Sequence, residues 1–526
     1  MPTEPTNSLN PLPAMKRKTA LTTALLVALG LAGPAQADER EQLELVRQTT
    51  LNLIKLLVQQ KVLTQEAADQ LIRQAEATAK AEVAKKEQLA GGANVVRVPY
   101  IPETVKNEIQ DNIRQEVLAQ AKTERWGEPD AYPSWLHRFT WYGDIRLRYQ
   151  RNIFPAGNTP LATLQAYGPT SLVTDSTVDQ NLTRVRARLG AKIQVSDNVV
   201  ANVRLATGNL VTPVSTNQTE GMYGNYQTVL DLAYLQATPY PWLRLTGGRF
   251  QNPFFHTDLV WAPDLNFDGF AGNAEYWPTH HLKGFLTAGL FPLQFVYPSD
   301  LVQARDKWLY GLQGGLDWYF ADESKATLAA ALYDYRHVEG VPNPSLGSHV
   351  YDATAPQFRQ KGNSVMFINY PGDPTLYGLA SKFREFNVTG RVDIGAFDPV
   401  HVVLTGDYVR NVGFSRSDIL ARTGQDIAPQ VNGYLGRIAV GKPKIQYPGD
   451  WQTYLAYKYL ERDAVLDAFA DPDFHLGGTD AKGYILGGSY GVARNTWLNL
   501  KWLSADQISG PPLSIDVLQL DLNSRF

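Results

Sequence analysis

The stretch N-L-T-R-V-R-A-R-L-G-A-K-I-Q-V, residues 181–195, decides the fold. Arg184, Arg186, Arg188 and Lys192 fall on one parity, and Val185, Ala187, Leu189, Ala191, Ile193 and Val195 on the other. A spacing of two is the period of a β-strand, so all four cations share one face with only apolar side chains behind them. Such a strand needs water on one side and an apolar medium on the other. A phosphate-binding surface would use the cations, but 49 Lys plus Arg stand against 52 Asp plus Glu, a net charge of −3. That balance has the wrong sign for a nucleic-acid partner, and none is expected.

The rest of the chain repeats the pattern. Period-two alternation runs from residue 139 to the end, with strands expected at 139–151, 181–195, 198–208, 228–238, 241–250, 269–277, 283–291, 308–320, 324–338, 384–397, 399–412, 432–444, 450–462, 480–491, 495–507 and 514–526. Sixteen is even, and the connections between them read as strictly alternating long and short. Long ones include 152–180 and 209–227, with 339–383 the longest; short ones include 196–198, 321–323 and 493–494. A soluble sandwich has no reason to keep its long loops at one end, whereas a membrane barrel has short periplasmic turns and longer external loops. Strand faces agree: Trp308, Tyr310, Leu312, Leu316, Trp318 and Phe320 oppose Gln313 and Asp317. Aromatics at strand ends (Trp141, Tyr149, Trp451, Tyr459, Tyr490) suit interfacial girdles. Sixteen strands imply an open lumen. The fold class is therefore an all-β transmembrane barrel of about sixteen antiparallel strands.

The chain's last strand, with Leu518, Leu520, Leu522 and Phe526 on one parity, must pair with the first to remove both edges. It is also the segment expected to engage the barrel-assembly machinery.

Upstream, T-A-L-L-V-A-L-G-L-A-G (23–33) follows Met15-Lys16-Arg17-Lys18 and precedes Ala35-Gln36-Ala37, a secretory leader ending at residue 37 with Met15 as its start. Residues 38–125 have helix-forming composition. Leu43, Val46, Leu53, Ile54 and Leu57 form one narrow apolar stripe, which suits a periplasmic, coiled-coil extension better than an independent core. A Pro- and aromatic-rich hinge, 126–138, leads into the barrel at 139–526. There is no cysteine, so thiol catalysis and disulfides are excluded.

G-G-R-F-Q-N-P-F-F (247–255), W-A-P-D-L-N-F-D-G-F (261–270), G-G-T-D-A-K-G-Y-I-L-G-G-S-Y-G (477–491) and D-V-L-Q-L-D-L-N-S-R-F (516–526) resemble the "putative porin" family of Gram-negative outer membranes. The resemblance covers nearly the whole mature chain. It implies a water-filled channel for small hydrophilic solutes and ions, not an enzyme, and a homotrimer set among outer-membrane lipid and lipopolysaccharide. The helical extension sets the chain apart from porins that begin almost at their first strand; peptidoglycan is a partner it could reach.

A basic wall is expected from Arg146 and Arg148 on the first strand, Arg184, Arg186, Arg188 and Lys192 on the second, and Arg204 on the third. It reads either as a solute-orienting ladder or as an ion-pair network stiffening the wall. The resemblance assigns the third long loop, 251–268, an inward fold that narrows the lumen. There Arg249, Phe254, Phe255, Asp258, Asp264 and Asp268 form the expected constriction, acidic against basic. Asp264, Asn266, Asp268 and Glu275 also match a calcium-loop spacing, although strands rather than helices flank it, and a tight turn is the alternative. No other cofactor is expected. Two further readings are an envelope-tethering barrel and an outer-membrane hydrolase built on His256 and Asp258.

Overall fold

The computed structural model describes residues 136–526, apart from 167–172, 174, 222, 300–301, 304 and 321–322, together with the helical residue Arg73. The expected leader, the extension (Arg73 aside) and the hinge up to residue 135 lie outside the described residues.

The strands are β1 Phe139–Ile153, β2 Gln180–Ser196, β3 Val199–Thr207, β4 Thr228–Tyr240, β5 Leu243–Gln251, β6 Asn266–Thr279, β7 Leu282–Gln294 and β8 Lys307–Tyr319. They continue as β9 Lys325–Arg336, β10 Arg384–Ile394, β11 His401–Asn411, β12 Asn432–Gly441, β13 Trp451–Leu460, β14 Ala481–Ala493, β15 Thr496–Gln507 and β16 Ser514–Arg525. Each pairs antiparallel with its chain neighbours, and β1 pairs with β16 from Asp144↔Arg525 to Ile153↔Asp516. The ring is thus a closed sixteen-stranded barrel. One further piece belongs to the sheet: the two-residue strand Gln218–Thr219 pairs with Arg184 and Val185, where β3 has already turned away from β2.

All sixteen expected strands are present, with shifted ends. The sixth begins at Asn266 rather than 269, because Phe267 is buried inward and Asp268 is exposed outward, the reverse of the apolar-out pattern. The alternation of loop lengths is not strict. The connection 508–513 at the long-loop end is shorter than the 442–450 turn at the other end. That turn is held by Asp450, which accepts from Lys442 Nζ (2.5 Å), Gln446 N (2.9 Å) and Tyr447 N (2.7 Å).

The two faces follow from the alternation. On β1, Ile145 and Leu147 are about half exposed at 46% and 47%, while Arg148, Gln150 and Asn152 on the opposite parity are buried. Leu189, Leu312, Leu316, Leu486, Leu500 and Leu520 join the exposed outer belt. Apolar surface on this scale is stable only against lipid. Two aromatic girdles bound it. Trp451 opposite Tyr490 lies near the short turns, and Tyr434 stacks on Tyr459 at 4.7 Å near the long loops. Eight residues separate Trp451 from Tyr459, about 26 Å along a strand at ~3.3 Å per residue and roughly 20 Å after barrel tilt. At the seam, Phe526 N donates to Gly143 O and Gly143 N to Phe526 O, both at 3.0 Å, and the Phe526 ring occupies the space a side chain at 143 would need.

The lumen departs from the expectation of an open tube. Loops 252–265 and 461–480 enter it and build a hydrophobic cluster there. Phe254, Leu259, Val260, Trp261 and Leu265 pack with Phe291, Tyr333, Leu435, Leu460 and Val465. Trp261 is wholly buried, its ring 5.0 Å from Tyr333 and 5.2 Å from Phe267.

Candidate functional site

The inner parity of β1 and β2 sets like charges face to face. Arg146 lies opposite Arg186, and Arg148 opposite Arg184. Cross-strand cations repel, so the wall needs anions. Asp144, opposite Arg188, supplies one: it accepts from Arg188 Nε at 2.7 Å and Arg186 Nη2 at 2.8 Å. Asp264 supplies another from the inward loop, accepting from Arg186 Nη1 (3.2 Å) and Arg188 Nη1 (3.3 Å). Arg148 forms a fork with Asp521 of β16 at 2.7 and 3.0 Å and reaches Asp473 at 3.1 Å. Arg146 donates to Asn217, and the buried Nε of Arg184 makes no hydrogen bond.

The inward loop is pinned along its length. Gln313 of β8 clamps Phe255, accepting from its N–H and donating to its carbonyl, both at 2.7 Å. Phe254 lies against Tyr333 (5.0 Å), over Gly311, whose missing side chain makes the room. The Arg391 guanidinium sits 5.1 Å from the Phe255 ring. Thr257 donates to Asp407 at 2.5 Å, and Ala262 N to Phe469 O at 2.8 Å. Asp258 accepts from Arg437 at 2.6 Å, while Lys458 donates to its main-chain carbonyl at 2.6 Å. Burial disfavours the Asp258 anion, but Arg437, Lys458 and Lys501 outweigh it and hold the carboxyl at about 2.

The three acidic residues of the expected loop therefore take different partners. Asp264 meets the basic wall. Asp258 instead pairs with Arg437 on β12, across the lumen from β2 in the strand order. Asp268 and Arg249 are not loop residues at all: they pair at 2.7 Å in register on β6 and β5. Their neighbours Phe250 and Phe267 are buried and Phe270 is exposed, so alternation turns the pair outward. Arg204 leaves the ladder as well, bound to Asp231 on β4 at 2.6 Å. Lys192 lies toward the short turns, 5.9 Å from the Tyr142 ring.

What the sequence reading missed is loop 461–480. Its Asp473 serves Arg148 and lies 3.6 Å from Lys501, whose position on the inner parity of β15 was the available signal. Burial raises the Asp473 carboxyl, yet Arg148 and Lys501 overcome this and hold it far below the usual range. Beside the network is a cavity of about 260 Å³, whose lining includes Arg146, Arg148, Asp264, Asp473, Lys501 and Asp521.

The calcium-loop spacing does not become a cluster. Asp264 is on Arg186 and Arg188, Asn266 donates to Asp231 (2.6 Å), Asp268 holds Arg249 and Glu275 lies 3.7 Å from Lys283. Asp268 and Glu275 are seven positions apart on one strand, about 23 Å at ~3.3 Å per residue, too far to share an ion. His256 and Asp258 do not pair either: His256 Nδ1 is 2.8 Å from the Phe254 carbonyl.

Residues 47–526 match the family model described as "Putative porin". No curated protein sequence matches the chain significantly. Among solved structures, it is similar to the outer membrane channel DcaP of Acinetobacter baumannii (11% identity, TM-score 0.40, covering 74% of this chain and 97% of that one). It is also similar to Pseudomonas putida OprB (9%, 0.43, 74% and 94%) and to Salmonella typhi OmpF (12%, 0.38, 74% and 97%). With the family model spanning the whole barrel and its closing strand, the chain belongs to the putative porin family.

Proposed function

We propose that this outer-membrane porin passes small hydrophilic solutes and ions through a passage whose field is set by the Arg184–Arg188 ladder facing Asp264 and Asp473. One observation carries the reading: loop 252–265 is held across the lumen with Asp264 on the basic wall and Asp258 on Arg437 opposite. Fixed charges of both signs at close quarters order dipolar solutes and disfavour apolar ones. Arg186 and Arg188 are both ladder and brace in this reading, since each is ion-paired and each borders the network; Arg204 is brace alone.

The long loops face outward and both ends of the barrel chain lie in the periplasm, which fits the loop asymmetry. The reading includes a homotrimer, implied by the family resemblance. It also includes a periplasmic helical extension at 38–125 whose narrow stripe suits self-association or peptidoglycan contact. Liposome swelling with sugars of graded size tests the channel: rates fall with solute mass if it is open. Flux that is absent or indifferent to size leaves the tethering barrel as the better account. A reporter at 197–198 that is accessible on intact cells reverses the orientation.

A further inference from the structure

Outward cations at the long-loop rim come mostly with a carboxylate of their own. Arg151 has Asp179 at 2.9 Å, and Arg249 has Asp268 at 2.7 Å. The outward face of β9–β11 breaks this pattern. Arg336 and Arg384 both lean on the single carboxylate of Asp334, at 2.5 and 3.2 Å. Arg410, exposed, sits in register opposite Phe386 and so diagonal to Arg384, and has no carboxylate within ion-pair distance among the described residues. Lys382 is matched by Asp418. Three guanidinium groups against one carboxylate leave the cluster at +2. Directly below, Tyr310, Leu332, Phe386 and Tyr408 are exposed members of the outer belt.

An unneutralised row of guanidinium groups above an apolar wall matches a ligand with anionic groups at one end and acyl chains at the other. Guanidinium forks bind phosphate oxygens in bidentate geometry, and diagonal strand neighbours stand ~7–8 Å apart, close enough for several to serve one headgroup. We propose that Arg336, Arg384 and Arg410 dock the phosphates of the glycolipid in the outer leaflet, the lipid A part of lipopolysaccharide. Its acyl chains would lie along Tyr310, Leu332 and Phe386. The inference rests on the orientation proposed above, with the long loops outside.

The test uses the full-length protein in detergent, titrated with bis-phosphorylated lipid A and read by native mass spectrometry. Parallel arms use dephosphorylated lipid A and inorganic phosphate. The wild type should retain the bis-phosphorylated form, and R336Q/R384Q/R410Q should bind it at least about tenfold less, given roughly fivefold per surface cation and the release of Asp334. R151Q, which loses a cation already neutralised by Asp179, should bind as the wild type does. Heat-modifiable migration on gels certifies that the variants are folded barrels. Equal binding by the triple variant overturns the site. So does equal binding of the dephosphorylated lipid, which would mean belt contacts alone, or full competition by inorganic phosphate, which would mean a free-anion site. Labelling of a cysteine placed at Ser345 on intact cells checks orientation separately. A labelled loop with failed lipid binding sinks the docking site only, and an unlabelled loop sinks the orientation.

Discussion

Replacing Arg184, Arg186 and Arg188 together with Gln should turn the pore strongly toward cations. The structure makes the charge count explicit. Arg186 and Arg188 share Asp144 and Asp264, and Arg184 adds a third cation beside them, a local sum of +1, which becomes −2 in the variant. A unit charge about 5 Å from the ion path, in water with a screening length near 8 Å, contributes roughly 0.4 kcal/mol. Three of them shift the potential energy of a monovalent ion by about 1.3 kcal/mol, roughly ninefold up for cations and ninefold down for anions. The permeability ratio should therefore move by one to two orders of magnitude, and the reversal potential under a tenfold salt gradient by tens of millivolts. Gln keeps two of the three methylenes and an amide that still donates, so the barrel should still assemble with a heat-modifiable band. Planar-bilayer recordings supply the measurement. Normal single-channel opening with an unmoved reversal potential would show that these cations lie outside the conducting path.

Asp264→Asn should move selectivity toward anions by about a third of that amount, since it removes one charge from the same network. Arg204→Gln should leave selectivity unchanged but lower thermal stability by ~3–5 kcal/mol, because it strands the buried Asp231. Leu189→Arg, on the lipid face, should cost about 2–4 kcal/mol near the midplane and cut the yield of inserted barrel, measured by the folded fraction in extracted membranes. Docking of loop 337–383 onto loop 461–480 should weaken on acidification. Burial holds Lys361 at about 7 and His475 well below its usual value, and Lys361 Nζ donates to Gly477 O at 2.6 Å and lies 2.8 Å from His475 Nδ1. Both groups bind fewer protons docked than free. Their support is therefore complete above the free lysine value near 10.4 and shrinks as pH falls toward 7, with His475 withdrawing its share below about 6.5. Asp480 lines the same pocket, Asp467 acts on Lys361 through space, and Asp463 accepts from Ser364 on the pocket lining; burial raises all three carboxyls. Asp463, raised by burial to about 6, acts in the opposite sense below that pH and softens the fall. A dye on Ser345→Cys should gain mobility between pH 9 and 6; constant anisotropy would refute the linkage.

The barrel was legible because each strand meets two solvents, and a period of two is a local property that one sequence displays. The cations of β1 and β2 were legible for the same reason. Their partners were not. Asp264 lies 78 positions from Arg186 and Asp473 lies 325 from Arg148, and nothing local tells which acidic loop turns inward. Asp268 belongs to the wall and not to the loop, because β6 starts at Asn266 and alternation then turns Asp268 outward, a boundary that a charged residue on the outer face hides in the sequence. Loop 461–480, with Asp463, Asp467, Asp471 and Asp473, reads as a solvated connection, yet all four are in buried or half-buried sites because the wall supplies Arg148, Lys458 and Lys501 and loop 337–383 supplies Arg359.

Arg148 touches Asp521 across the seam where the first strand meets the last, a contact separated by 373 positions. Contacts so distant in sequence are the slowest to form in folding. Until the final strand arrives, this guanidinium has no β16 carboxylate, and the edges of β1 and β16 are bare. Completion of the ring and neutralisation of Arg148 from β16 are therefore one event. A chain cut short of Asp521 loses the seam and that carboxylate together, so the charge balance of the first strand records whether the last has arrived.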